Sequence, residues 1–339
     1  MIPTKFCMQM TDQHQTNSAE VELTQAVHNL AYRLISQAGQ RVSERLTAYM
    51  ALPHQLNQLN ADIVAAGQLD LNNAIACEQH LWRLAKIFPS ISYIGFALTD
   101  GSKESGAGRW IERTQLSVYE NRNFKGCDYA TDEQGNRTHL IQSYDYDALS
   151  QPWHKQALEA GKPIWTHIFT ADIDDVEVAD EESVQPEDTS SNVGYQNYVA
   201  VNAERPLYDK DGKLFGLAIV DVLLSEISKF LGTLKVTPSG QVFIMERDGM
   251  LVGSADEHSI VHRVDGRLER FNALNTPNLA IRSIAEELQK RFNNFQTIQE
   301  QQFDFSLNGD HQFVYVTPWQ EEYGLDWLVV VGVPKSDLI

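Results

Sequence analysis

The chain has 339 residues, with 46 Asp and Glu against 27 Lys and Arg, and a net charge of -19. At roughly 150 residues per domain this length calls for two domains or one elongated assembly with a substantial core. The charge excludes nucleic acid, whose phosphates need clustered Lys and Arg, and argues against an anionic membrane surface.

From Glu20 to Leu59 apolar residues such as Leu23, Val27, Leu30, Leu34, Val42 and Leu46 recur mostly at three- and four-residue intervals. This predicts a long helix that kinks or stops at Pro53, either covering a core or forming a stalk or dimer helix. Cys7, Cys77 and Cys127 are widely spaced, so neither a zinc ribbon nor a disulfide framework is indicated. A second helix is expected over Asn73 to Phe88. Strands follow at Ser92 to Leu98, Trp110 to Val118 and His139 to Tyr144, with Asp100-Gly101 as a hairpin signal.

The stretch Tyr144 to Trp165 is the most strongly punctuated in the chain. Ser150 is suited to cap a short helix, Pro152 to its first turn and Gly161 to its left-handed end, with Pro163 preventing continuation. Trp153, Ala157 and Ala160 share one face at helical spacing, while His154 and Lys155 turn elsewhere. Further strands are expected at Ile164 to Thr170, Tyr198 to Leu207 and Leu214 to Val222, the last two joined through Asp211-Gly212. Between them Asp172 to Asp188 holds nine acidic residues and no basic one. It reads as a solvated insertion; its calcium-loop spacing fails at Val176 and Glu177.

The outline then recurs. A helix at Leu223 to Leu231 leads to strands at Val242 to Glu246 and Leu251 to Ser254 around Asp248-Gly249. A helix at Leu279 to Phe292 precedes strands at Phe303 to Leu307, Gln312 to Pro318 and Leu325 to Val333, with Asn308-Gly309 between the first two. The fold class is therefore α+β: a long N-terminal helix and two tandem units, each an antiparallel sheet flanked by helices. The expected divisions are 1–88, 89–232 and 233–339. The most apolar run, Trp327 to Val333, has strand length, and Met1 to Thr16 does not read as a signal peptide. Either the chain is cytosolic or it is a soluble piece of something larger.

Tandem PAS-like units behind a long helix resemble the double Cache sensor domains of bacterial transmembrane receptors. The likeness is carried by Gln151, Pro152, Trp153 and His154, by Gly161 to Trp165, by Asp221 after Gly216 to Val220, and by Trp327 to Pro334. It covers about Val21 to Ile339, and the opening with Tyr49, Pro53, His54, Asn57 and Asn60 is similar to cyanobacterial receptors. The resemblance implies a periplasmic or extracellular sensor of a histidine kinase, nucleotide cyclase or chemoreceptor. It further implies a small-molecule ligand in the membrane-distal unit, flanking transmembrane helices, and a homodimer in the membrane.

It also implies a ligand site at Tyr144, Tyr146, Gln151, Trp153, His154, Trp165, Phe169 and Asp221. In the amino-acid-sensing branch an arginine clamps the ligand carboxylate. Here Gln151 takes that position, His154 replaces an aromatic, and Phe169 and Ala171 stand where a tyrosine and an aspartate are expected. A neutral amide cannot make the bidentate charge-assisted pair, so the ligand is not expected to be a typical free amino acid.

Bland readings stand beside these. Asp221 also suits the polar end of a buried strand, capping the helix that begins at Leu223; the aromatics also suit a core. His154 and His167 either give a pocket pH sensitivity or are simply part-exposed. No GxSxG elbow, P-loop, HExxH or Rossmann glycine pattern is present; His258 and His262 are four apart with Asp256 and Glu257 near, but the segment begins as a turn after Ser254, which weighs against a metal site. No catalytic residue, cofactor or metal is assigned. The competing reading is a soluble periplasmic or cytosolic enzyme or binding scaffold using the same pocket.

Overall fold

The computed structural model describes residues 5–109, 115–170, 177–178, 198–256, 260–265 and 267–338. Helix α1 (Lys5–Ala65) is 61 residues long, which at 1.5 Å per residue spans ~90 Å. It does not stop at Pro53 but runs on for three further turns. Tertiary packing outweighs the missing proline N–H there: Leu56, Asn57 and Asn60 are buried, and the Asn57 amide donates to the Ala203 carbonyl at 2.8 Å. Helix α2 (Ala74–Ile87) is capped by the Asn73 side chain, which accepts from the Ala76 N–H.

The first sheet contains β1 (Tyr93–Leu98), β2 (Lys103–Gly108), β3 (Ser117–Arg122), β4 (Lys125–Thr131) and β5 (Arg137–Asp145). After helix α3 (Pro152–Ala160) it adds the short β6 (Ile164–Trp165), β7 (Phe169–Thr170) and β8 (Glu177–Val178), then β9 (Val199–Tyr208) and β10 (Leu214–Leu223). Its strand order is β6-β9-β10-β1-β2-β3-β4-β5-β8, with β7 also paired to β9. The strand expected from Trp110 to Val118 meets β3 only at Ser117 and Val118, and β4 falls outside the expected strands. The turn between β3 and β4 uses Asn123 and Phe124 at positive φ, 53° and 65°, so no glycine announces it. Of the strand expected from Trp110 to Val118, residues 110–114 lie outside the described residues, as does most of the acidic stretch 172–188.

Helix α4 (Leu224–Thr233) leads to the second sheet, built from β11 (Gln241–Glu246) and β12 (Leu251–Ser254), a side hairpin of β13 (Val261–Val264) and β14 (Arg267–Arg270), helix α5 (Leu279–Phe292), then β15 (Gln301–Leu307), β16 (Asp310–Gln320) and β17 (Asp326–Pro334). Its order is β12-β11-β17-β16-β15. All four expected Asx-Gly pairs join adjacent antiparallel strands: β1 to β2, β9 to β10, β11 to β12 and β15 to β16.

Helix α1 lies against both sheets. Ala31, Ile35, Ala38, Val42, Leu46 and Met50 are buried along it in one continuous core that takes in Val199, Val201, Ala218 and Val220 of the first sheet and Val314, Val316 and Val329 of the second. Burial of the valine, leucine, isoleucine and methionine side chains among them is worth about 1.5–3 kcal/mol each. Polar ties reinforce the contact: the Trp319 indole donates to Thr47 at 2.9 Å and the Tyr32 hydroxyl to Asp304 at 3.0 Å. The opposite face of the first sheet carries a second, separate apolar cluster, covered by α3.

Candidate functional site

Side chains alternate along a strand, so the register of the first sheet fixes which residues share the face under α3. Tyr93 lies opposite Asp221 and Gly108, Gly95 opposite Ile219 and Gly106, and Ala97 opposite Leu217 and Glu104. Across the next pairs, Asp221 faces Asn202 and Ile219 faces Glu204, while Glu104 faces Asn121 and Gly106 faces Tyr119. The covered face thus combines tyrosines, small residues and carboxyls.

Glycines make room for the rings. A Cβ on Gly95 or Gly106 would collide with the Tyr93 ring, so that ring lies flat across two strands. The same relation holds between Gly126 and Tyr144, where a Cβ would stand 2.7 Å from the ring. Flat on the sheet, the Tyr93 hydroxyl donates to Glu104 at 2.6 Å. Tyr144 lies parallel to Tyr119, centroids 6.4 Å apart.

Helix α3 forms the cover. Pro152 opens it, and Gly161 closes it in the left-handed conformation (φ 58°), as expected. Its N-cap is Gln151 rather than Ser150, because Ala148–Ser150 form a separate 3-10 turn capped by Asp147. Trp153 and Ala157 are buried against the sheet. His154 is also buried, at 1 % exposure, contrary to the expectation that it turns away. Helix α3 is enclosed on more than one side, and the ring packs on Trp153 at 5.3 Å. Burial lowers its pKa, partly offset by the Thr99 backbone.

Five of the eight expected site residues meet here: Tyr144, Tyr146, Trp153, Phe169 and Asp221 all border the covered cluster or its floor. The Trp153 indole donates to the Tyr146 hydroxyl at 3.3 Å, and Phe169 packs 6.2 Å from Tyr198. Gln151 instead turns its amide onto its own loop, donating to the Asp147 carbonyl and to Ser150 at 3.3 Å. Trp165 lies on the other face, beside Ala203, with its ring edge-on to His54 at 4.9 Å. The two-residue strand β6 sends Ile164 and Trp165 to opposite sides, which the sequence run alone does not reveal.

The electrostatics centre on carboxyls. Asp221 accepts from the Tyr198 hydroxyl at 2.5 Å, and its other oxygen has no partner. Burial pushes Asp221 up to about 7, with the Tyr198 hydrogen bond acting against the rise. Glu104 is likewise raised to about 7 by burial, and Glu204 is held well above the ordinary carboxylate range by burial and by the charges of Asp221 and Glu104. Glu104, Glu204, Asn121, Asn202, Tyr93, Tyr119 and Tyr198 were not among the expected site residues. The available signal was alternation: Asn202 and Glu204 interrupt the apolar start of β9 at alternate positions.

Among the described residues no set of three or more His, Cys, Asp or Glu could hold a metal ion. His258, one of the pair considered for metal, lies outside them, and His262 stacks on Phe271 at 4.0 Å.

Residues 19–339 match the family described as Cache domain, of the dCache type. The chain belongs to the Cache domain family. Cache domains are extracellular sensor domains of membrane receptors, and a sensor role follows for this one. No curated protein matches the chain. Among solved structures, the Cache chain resembles the ligand-binding domain of Campylobacter jejuni chemoreceptor Tlp3, solved with 4-methylisoleucine, at 10% identity and TM-score 0.54, covering 92% of this chain and 94% of that one. It also resembles the domain of the Pseudomonas aeruginosa amino acid chemoreceptor PctC, solved with GABA, at 16% identity and TM-score 0.50, covering 88% and 97%. A third likeness is to the extracellular domain of mmHK1S-Z2, assigned as a histidine kinase, at 12% identity and TM-score 0.50, covering 91% and 99%. At such identities these likenesses establish the shared fold. Among the described residues no helix of this Cache domain is long and apolar enough to cross a membrane.

Proposed function

We propose that this Cache domain is the extracytoplasmic ligand-sensing segment of a transmembrane receptor, and that a small molecule binds on the covered face of the first sheet beneath α3. The receptor's output is a histidine kinase, nucleotide cyclase or chemoreceptor domain beyond a following membrane span, and the receptor acts as a homodimer. Ligand binding shifts the population between two arrangements that the output domain distinguishes.

One observation carries the binding site: a ring-lined, glycine-floored face, enclosed by α3, keeps the Asp221 carboxyl buried with one oxygen unpartnered. Buried polar atoms without partners are costly, so an arrangement that retains one is suited to an incoming hydrogen-bond donor. The absence of an arginine at Gln151 supports a ligand other than a typical free amino acid.

The test is thermal-shift screening of the chain against neutral and cationic small molecules. The expected result is a compound whose stabilisation is lost in both Trp153→Ala and Asp221→Asn while each variant stays folded. Stabilisation that persists in both variants rejects this face as the binding site.

A further inference from the structure

The first sheet has a second polar enclosure, on the face opposite α3, where α1 lies over β9. Trp165 of β6 pairs with Ala203, whose carbonyl accepts from the Asn57 amide at 2.8 Å. Alternation puts Arg205 on the same face two residues further along β9, diagonal to Trp165 at a backbone distance of about 7–8 Å. His54, nearly one turn of α1 before Asn57, brings its ring to 4.9 Å from that of Trp165. Tyr323, reaching across from the second sheet, stacks on the His54 ring at 3.7 Å.

The polar atoms gathered here have no partners. Trp165 Nε1, Arg205 Nε and both ring nitrogens of His54 are buried without a hydrogen bond. His54 is 3 % exposed and Trp165 7 %. Three of the four atoms offer an N–H: the indole, the guanidinium and one nitrogen of a neutral imidazole. The acceptors beside them are the second imidazole nitrogen and Asn57 Oδ1.

Arg205 decides what the enclosure lacks. The chain has 46 Asp and Glu, yet none pairs with this half-buried guanidinium among the described residues. Its neighbour Glu204 is sent by alternation to the face under α3. On the turn between β16 and β17, Glu321 is committed to the backbone N–H groups of Tyr323 and Leu325, both at 2.8 Å, and Glu322 is exposed. Burial, and after it the Arg205 charge, keeps the His54 ring neutral, so the guanidinium is the charge that sets the sign of the site. A shielded cation without a counter-charge is costly. Water would serve the donors but would leave that charge unpaired.

We propose that this enclosure binds a small monovalent anion, a halide or a short carboxylate, between the Arg205 guanidinium, the Trp165 indole N–H and the His54 imidazole N–H. The sheet separates it from the ligand face beneath α3, and the two sites stand or fall independently. Its donors come from α1, β6 and β9, and the His54 ring is held by Tyr323, so an occupied site ties the long helix to both sheets.

The test is thermal unfolding of the chain in sodium chloride and in sodium acetate, each against sodium gluconate of equal ionic strength, whose anion is too bulky for the enclosure. Trp165→Phe keeps a ring and removes the N–H; Arg205→Met keeps the stem and removes the charge. The rise in midpoint on exchanging gluconate for the small anion should be about 2–4 °C larger in wild type than in either variant. General salt effects are common to the three proteins and cancel in that difference. A difference with acetate alone identifies a carboxylate as the occupant, and one with chloride alone a halide. Equal salt responses in the three proteins overturn the proposal. Crystals of the wild-type chain grown in sodium bromide and in sodium acetate need no variant to fold: an anion beside Trp165 Nε1 and Arg205 Nε is expected, and water alone there in both crystals overturns the assignment.

Discussion

At the scale of single residues, the carboxyl cluster makes stability depend on pH in an unusual direction. Glu104 and Asp221 ordinarily titrate at 4.5 and 3.8, but both rise to about 7 in the folded chain because burial disfavours their charge. The folded state therefore holds protons that the unfolded state releases between about pH 4 and 7, and stability falls as pH rises through that window. The groups acting on them are Tyr93 and Asp128 on Glu104 and Tyr198 on Asp221, with Glu204 and Tyr146 interacting with both. Glu104→Gln should flatten this slope, with the largest gain in urea-unfolding free energy near pH 8; parallel wild-type and variant profiles would count against it. Asp221 could be singled out from sequence because it ends the buried apolar run Gly216 to Val220 in a recognisable pattern. Glu104 and Glu204 could not. In KESGAG and VAVNAERPLY they resemble the polar side of a half-exposed strand, and only α3 and the segment around Tyr198, brought in from far along the chain, convert that side into an interior.

Among the elements, the hairpins and the short cover helix were legible and the paving of the sheet was not. Asx-Gly pairs mark four turns by a local backbone requirement, and Gly161 marks the end of α3 in the same way. Asn123 and Phe124 adopt positive φ without that signature, so no local signal marks the turn between β3 and β4. Gly106 has a different role: in mid-strand it leaves space for a ring anchored on the neighbouring strand. Gly106→Ala should displace the Tyr93 ring, break its hydrogen bond to Glu104 and cost about 1–3 kcal/mol, as overpacking does. Chemical denaturation measures the loss, and a variant as stable as wild type would show that the ring has another place to go. The same substitution should weaken any ligand that stands on that ring.

Across the whole molecule, the two sheets and the long helix meet at His54. Its ring stacks on Tyr323, from the turn between β16 and β17, at 3.7 Å, and stands edge-on to Trp165 of β6, whose backbone N–H donates to the Tyr323 carbonyl at 3.2 Å. Burial and the nearby Arg205 lower its pKa from 6.5 to about 3. The unfolded chain takes up this proton first, so the contribution is complete above pH 6.5 and is lost as pH falls toward 3. His54→Phe, which retains a ring but cannot titrate, should lose a few kcal/mol less than wild type over that descent; equal losses in paired unfolding profiles would refute it. The sequence shows His54 beside a proline in a helical pattern and leaves its partners, more than a hundred residues away, out of reach. Proline supplies no N–H to the Tyr49 carbonyl one turn earlier, so the rod that spans both sheets has its weakest rung level with this junction. A bend at that rung would tilt one sheet against the other as a hinge does, with each sheet's own ladder of hydrogen bonds left whole.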